Sequence, residues 1–96
     1  MGRVLIIELR IHLLLSQSLK DKRRVRLHIT EKLRQRYNLS VAETGSQDYQ
    51  QTLDLTVAYA ALNETSARRM EQTLRDELDT LLEGDGIVSS WDTAIV

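Results

Sequence analysis

Residues 3–14 read RVLIIELRIHLL, and this stretch decides the fold. Every second side chain is apolar, and alternation with a period of two predicts a β-strand. The inward set is Leu5, Ile7, Leu9, Ile11 and Leu13. The opposite side of the strand mixes apolar and charged side chains, among them Glu8, Arg10 and His12. This mixture indicates a sheet that is covered on one face only.

Residues 18–37 have a helical pattern. Ser18 is the predicted N-cap, and Asp21, three residues later, is expected to complete a capping box. Apolar side chains then recur every four residues, which places them on one stripe that faces the sheet. This stripe consists of Val25, Ile29, Leu33 and Tyr37.

The remaining elements complete the order βαββαβ. Strands are predicted over residues 39–44, 51–62 and 86–95, and a second helix over residues 63–83. The expected inward residues of the last strand are Ile87, Trp91 and Ile95. Helices after the first and third strands indicate a ferredoxin-like α+β sandwich. Because crossovers are right-handed, we expect both helices on one face of a four-stranded antiparallel sheet with strand order 4-1-3-2.

Length and composition limit the class of protein. The chain has 96 residues, of which 42% are hydrophobic and 28% charged, and this fits a single globular domain over residues 1–96. Cysteine is absent, which excludes disulfides, iron–sulfur clusters and cysteine zinc sites. Neither a transmembrane span nor a signal peptide is recognisable, so we expect a cytoplasmic protein with no membrane partner.

The net charge of −1 hides an uneven distribution. Residues 20–36 hold eight basic and two acidic side chains, a charge of +6, so the other 79 residues carry −7. A cationic cluster at the positive end of a helix suits phosphate and predicts nucleic-acid binding. The predicted phosphate-binding residues are Lys20, Lys22, Arg23, Arg24, Arg26 and Arg34.

Two alternatives remain for this basic cluster. One is another anionic ligand. The other is salt bridging, within the chain or between subunits, because residues 63–85 carry a charge of −4 and the two helices are expected side by side. The acids expected nearest are Glu71, Asp76, Asp79 and their neighbours.

The segment Ser18 to Arg23 reads SLKDKR, which resembles the S-L-K-(E/D)-K-R signature of the YlxP-like proteins, a bacterial family of unknown function. Val41-Ala42-Glu43, Gln47-Asp48 and Gln51 resemble the same family, and the resemblance covers nearly the whole chain. It implies a small ferredoxin-like protein of a kind often encoded beside translation and ribosome-maturation factors. An RNA- or ribosome-linked role is therefore implied, with no catalytic residue to carry over.

The uncovered sheet face is not expected to bind RNA by base stacking. RNA-recognition motifs stack bases on aromatic side chains of their central strands, and here the corresponding positions are charged or polar. We therefore expect phosphate or shape recognition by the first helix. The same face is also expected to carry a small apolar patch, either a homodimer contact or ordinary surface apolarity. The patch consists of Val4, Ile6, Ala58 and Ala60.

Catalysis is not expected, because no nucleophile–base pair or metal-ligand spacing is recognisable. His12 and His28 are the only histidines, and nothing in the sequence places them together. We predict no catalytic residues, no metal and no cofactor. The weakest alternative is an enzyme with a site near His12, Glu43 or Asp48. The favoured prediction is a non-enzymatic RNA- or ribosome-associated protein, and the alternative is a homodimeric protein–protein interaction module.

Overall fold

Six elements follow in the order βαββαβ in the computed structural model, which describes residues 1–96. Their order and number confirm the sequence prediction, and their ends differ from it by at most two residues. Neither helix combines the length and the apolar composition needed to cross a membrane. The elements are β1 Arg3–Leu13, α1 Leu19–Arg36, β2 Ser40–Gly45, β3 Thr52–Ala61, α2 Glu64–Leu81 and β4 Gly86–Ile95.

The four strands form one antiparallel sheet with the order β2-β3-β1-β4. This is the predicted order 4-1-3-2, counted from the other edge. The long strand β1 lies between β3 and β4, and Leu9 is aligned with Leu55 on one side and with Trp91 on the other. The expected ferredoxin-like α+β fold is confirmed.

The core lies between one face of the sheet and the two helices. The alternating residues Leu5 to Leu13 of β1 are all buried, as the period of two predicts. Both helices bury their apolar stripes against this face, so the opposite face of the sheet is left open. The helix residues of the core are Val25, Ile29 and Leu33 from α1, and Ala67, Leu74 and Leu78 from α2.

The inward set predicted for β4 is wrong at one position. Ile87 is 54% exposed, whereas Val88 packs against the core together with Trp91 and Ile95. The register shifts between Arg10 and Ile11 of β1, where β4 has one extra residue. A bulge of this kind reverses the side to which the residues beyond it point.

The two helix N-termini are capped by side chains. The Ser18 hydroxyl accepts the backbone N–H of Asp21 at 3.0 Å, as predicted. The second half of the predicted capping box is wrong, because the Asp21 carboxylate accepts the N–H of Gln17 instead of that of Ser18. A complete capping box occurs in α2, between Asn63 and Ser66.

Candidate nucleic-acid interface

Three cations of the predicted cluster project from the first two turns of α1 into solvent: Lys20, Arg23 and Arg24, here called the outward cations. Lys20 and Arg23 are exposed and form neither an ion pair nor a hydrogen bond. The Arg24 side chain is 69% exposed, and its closest acid is Asp85, at 3.7 Å. The outward cations therefore retain most of their capacity to bind an anion.

Lys22 has a different environment. It is only 3% exposed, its ammonium lies 2.8 Å from the Glu43 carboxylate, and it donates to the Ser46 carbonyl at 2.6 Å. The prediction that Lys22 belongs to a solvent-facing phosphate-binding set is therefore wrong, because its side chain is buried. Lys22 lies three residues before Val25 and seven before Ile29, so it shares their buried face of α1. A buried ammonium needs an acid and further acceptors, which Glu43 and Ser46 supply.

Arg26 and Arg34 turn towards the edge strand β2. Arg26 lies 3.6 Å from Glu43 and is partly buried, and Arg34 donates to the Val41 carbonyl at 2.6 Å. With Lys22 they form the β2-facing cations, which bind groups of the protein itself. The predicted set of six thus divides into three β2-facing and three outward cations.

The acids of α2 do not neutralise the cluster. Glu71 accepts from the indole N–H of Trp91 at 2.9 Å and from the Thr93 hydroxyl. No ion pair joins any of the expected acids to the cluster, and the one ion pair between the helices is Arg36–Glu77. The acids named in the prediction were Glu71, Asp76 and Asp79. These three acids are therefore not the partners, but two other acids of the segment 63–85 do contact α1, Asp85 through Arg24 and Glu77 through Arg36.

Residues 46–51, the β2–β3 turn, lie against the start of α1. Ser46 has a positive φ of 54°, which is uncommon for a residue other than glycine. Its carbonyl accepts both the Lys22 ammonium and, at 3.0 Å, the backbone N–H of Tyr49. The Tyr49 side chain is 65% exposed. This residue was missed by sequence reasoning, although it is a lone aromatic in a polar stretch, which was the available signal.

The polar part of the open face is organised by one ion pair. Arg10 donates two hydrogen bonds to Asp54, at 2.8 and 3.1 Å. The hydrogen bond from Arg10 is the largest cause of the lowered pKa of Asp54, and a hydroxyl contact from Ser46 adds to it. The same contact raises the pKa of Arg10.

The residues of the proposed enzyme alternative are not brought together. His12 is aligned with Thr52, whereas Asp54, considered as its neighbour, is bound to Arg10. Glu43 is engaged with Lys22. A polar depression of about 200 Å³ on the open face contains none of the three candidates. These candidates were His12, Glu43 and Asp48.

The apolar patch has the predicted register. Val4 is aligned with Ala60, and Ile6 with Ala58, on the open face. On the other side of β1, Ala94 is aligned with Ile6 and extends the patch towards the edge. Tyr59 packs against the core, so no aromatic side chain of the central strands lies on this face.

Comparison with known proteins gives a family and no activity. No curated protein matches the chain. A family model, described as a protein of unknown function (DUF503), matches residues 4–89. Since this match includes β1, α1 and the β2–β3 turn, the basic cluster and its surroundings lie within the matched region. The match spans most of the sequence, and the chain therefore belongs to the DUF503 family.

Proposed function

We propose that this protein is a cytoplasmic, non-enzymatic RNA- or ribosome-associated protein that binds the phosphate backbone through the outward cations Lys20, Arg23 and Arg24. The observation that carries the proposal is that Lys20 and Arg23 form no ion pair and that Arg24, whose side chain is 69% exposed, has only a 3.7 Å contact with Asp85, although acids are abundant elsewhere in the chain. The β2-facing cations have a structural role instead. They hold the edge strand and the β2–β3 turn against α1.

The position of the outward cations supports a ligand-binding role. They lie in the first two turns of an 18-residue helix, where the helix dipole disfavours each cation by about 0.3–1 kcal/mol. Asp21 is the one acid in the first turn, and its carboxylate accepts the backbone N–H of Gln17. A local arrangement that lowers stability without a compensating contact is typical of a functional site.

The sequence SLKDKR supports a finer placement within the family. It resembles the signature of the YlxP-like proteins, and we propose that the chain is one of them. Their gene neighbourhood of translation and ribosome-maturation factors agrees with binding to ribosomal RNA. Lys20 and Arg23 belong to this signature, whereas its second lysine, Lys22, serves the fold.

The mode of binding follows from the small number of free cations. With about three phosphate contacts on a duplex, a plot of the logarithm of the association constant against the logarithm of the salt concentration should have a slope of about −2.7. The affinity should then fall roughly 40-fold between about 50 and 200 mM salt. Little sequence preference is expected from phosphate contacts.

The test compares two variants of equal charge. Arg23→Glu with Arg24→Glu reverses two outward cations, and Arg68→Glu with Arg69→Glu makes the same change in net charge at exposed positions of α2. Affinity for purified ribosomal subunits and for a labelled RNA hairpin is measured by fluorescence anisotropy at two salt concentrations. The α1 variant should lose at least tenfold in affinity, and the α2 variant should resemble the wild type, with unchanged circular dichroism in both.

Two results would contradict the proposal. One is equal binding by the wild type and the α1 variant, which would remove the site. The other is equal weakening by both variants, which would show that net charge alone determines the interaction.

A second candidate function is a homodimer through the open sheet face. It is favoured by the continuous apolar patch, in which Val4 and Ala60 are exposed and Ile6 and Ala58 are half-buried. Sedimentation over a range of concentrations should reveal a dimer that Ile6→Glu abolishes. Ser90→Glu, on the same face outside the patch, is the matched control. A monomer at all concentrations would exclude this function.

A further inference from the structure

The two edge strands of the sheet differ in how their outer side is protected. Strand β2 is only six residues long, and the Arg34 guanidinium of α1 donates to its Val41 carbonyl at 2.6 Å. Short length and cations along an edge prevent another strand from pairing with it. At the opposite edge, residues 86–96 contain no lysine, arginine or proline, and their one charged side chain is Asp92. Strand β4 is therefore the unprotected edge.

The backbone of β4 offers free hydrogen-bonding groups along this edge. Val4 and Val96 exchange two backbone hydrogen bonds, at 2.8 and 2.9 Å, and pairs of this kind alternate along an antiparallel ladder. The ladder with β1 is regular from Val96 back to Ser90, so every second residue of this stretch turns its N–H and C=O groups away from β1. No other part of the chain binds these groups. The residues concerned are Trp91, Thr93 and Ile95.

The apolar side chains of β4 are incompletely buried. Trp91 and Ile95 pack against the core but are only partly buried, whereas the inward residues of β1 are buried. Trp91 also lines a groove of about 170 Å³ between β4 and α2. Its ring is held there, because the indole N–H donates to Glu71 at 2.9 Å and the Arg75 guanidinium lies 4.7 Å from the ring centre. A further strand along this edge would complete the burial of both apolar side chains.

Two copies of β4 match each other when they run antiparallel. A two-fold axis through Thr93 uses the whole regular stretch from Ser90 to Val96 and places the two threonines opposite each other. Trp91 then lies opposite Ile95 of the second copy, and an aromatic side chain beside a β-branched one is a favourable cross-strand pair. Each of these two side chains thus completes the burial of the other.

The single acid of the edge favours the same register. With the axis through Thr93, Asp92 lies opposite Ala94 of the second copy, so no like charges meet. An axis through Asp92 would place two carboxylates opposite each other, which is destabilising. An axis through Trp91 would bring the bulge at Ser89 into the pairing.

We infer that the protein forms a two-fold dimer in which the β4 strands of two copies pair about Thr93 and join both sheets into one of eight strands. The occupant of the unprotected edge is therefore a second copy of this chain. The interface differs from a dimer through the open face, because a two-fold axis perpendicular to the sheet leaves that face uncovered on both copies.

Amide hydrogen exchange and sedimentation at increasing protein concentration test this dimer. The N–H groups of Trp91, Thr93 and Ile95 point into solvent in a monomer and should become protected as the dimer forms. The N–H groups of Asp92 and Ala94 are bound to β1 in either state and provide the internal reference. Protection confined to the first set is the expected result.

Two variants should act on the dimer in opposite directions. Thr93→Pro removes an N–H that has no partner in the monomer, a change that an edge strand tolerates, and it should abolish the dimer. Ala94→Lys faces Asp92 of the second copy on both sides of the axis and should tighten the dimer by roughly 2- to 30-fold. Gln50→Lys makes the same change in charge at an exposed position of the β2–β3 turn, and it should leave the dissociation constant unchanged.

Two results would overturn the inference. One is a monomer at every concentration in which the outward amides of β4 stay unprotected. The other is a dimer that Ile6→Glu abolishes and Ala94→Lys weakens, because such a dimer uses the open face. If Thr93→Pro does not fold, the pattern of amide protection and the effect of Ala94→Lys still decide between these results and the edge dimer.

Discussion

The two helices begin with the same order of cap, buried residue and arginine pair, and they differ in what surrounds these residues. Each has a capping side chain, Ser18 in α1 and Asn63 in α2, which accepts the N–H three residues later. Each buries the residue four positions after the cap. Each then presents two consecutive arginines at the fifth and sixth positions. These are Arg23 and Arg24 in α1, and Arg68 and Arg69 in α2.

The difference begins one residue after the cap. In α2 this residue is Glu64, which pairs with Arg68 at 3.0 Å, four residues later. In α1 the same position is Leu19, so Arg23 has no acid four residues earlier, and the carboxylate of Asp21 accepts the N–H of Gln17 instead. An i,i+4 pair of this kind stabilises a helix by about 0.2–0.5 kcal/mol. The first turns of α2 therefore pair one of their two arginines with an acid of the same helix, whereas those of α1 leave Arg23 without an acid partner.

The buried position after each cap shows a second contrast. In α2 it is Ala67, which needs no polar partner. In α1 it is Lys22, which needs Glu43 and the Ser46 carbonyl. The start of α1 thus depends on β2 and on the β2–β3 turn for the partners of its buried cation. The start of α2 needs only its own residues.

The largest effect on stability is expected at Lys22. Lys22→Met removes the nearer cation from the largely buried Glu43 carboxylate and leaves it only the more distant Arg26. We expect the free energy of unfolding to fall by about 3 kcal/mol. This corresponds to a fall in Tm of roughly 10–20 °C for a chain of this size. Thermal and urea unfolding measure it, and Arg23→Met, one residue further along α1, should change stability by less than about 0.5 kcal/mol.

A double variant identifies the cause. Lys22→Met with Glu43→Leu removes both charges, and most of the lost stability should return. If the double variant is as unstable as Lys22→Met, the unpaired carboxylate is not the cause. The loss of stability then comes from the missing contacts of Lys22 with the turn. If Lys22→Met is silent, the comparison of the two helices loses its main support.

The period of apolar residues predicts most of this fold and little of the site. Alternation in β1 and the four-residue stripe in α1 depend on local geometry, so the elements and their order follow from the sequence. The burial of Lys22 could also be predicted, since this residue lies three positions before Val25 and seven before Ile29, spacings that share one face of a helix. Its partner Glu43 was not, because their contact depends on how β2 and α1 meet. Likewise, the exposure of Ile87 depends on a bulge that no local pattern marks.

An intermediate effect is expected from exchanging the residues after the two caps. Leu19→Glu gives Arg23 an acid four residues earlier and places a negative charge near the positive end of α1, so stability should rise by about 0.5–1 kcal/mol. Glu64→Leu in α2 should lower stability by a similar amount. Urea unfolding measures both changes.

The same exchange tests the function. Leu19→Glu should weaken RNA binding and reduce the salt slope by about 1, because Arg23 is then neutralised. Glu64→Leu should leave RNA binding unchanged. A more stable Leu19→Glu variant with full RNA affinity would show that the missing acid in α1 has no connection with a ligand.

The smallest effect is expected from low pH, and it concerns two carboxylates, Asp54 on the open face of the sheet and Glu71 in α2. Asp54 binds Arg10 and Ser46, and Glu71 binds Thr93 and Trp91, and these contacts lower the pKa of both groups. A carboxyl group whose pKa is lowered by folding stabilises the protein at pH values above its ordinary pKa of about 4. This stabilisation is lost as the pH falls through the pKa of the group in the folded state. Asp54→Asn and Glu71→Gln should therefore each reduce the fall in urea midpoint from pH 5 to pH 2. A steeper fall in either variant would contradict the direction assigned to that carboxylate.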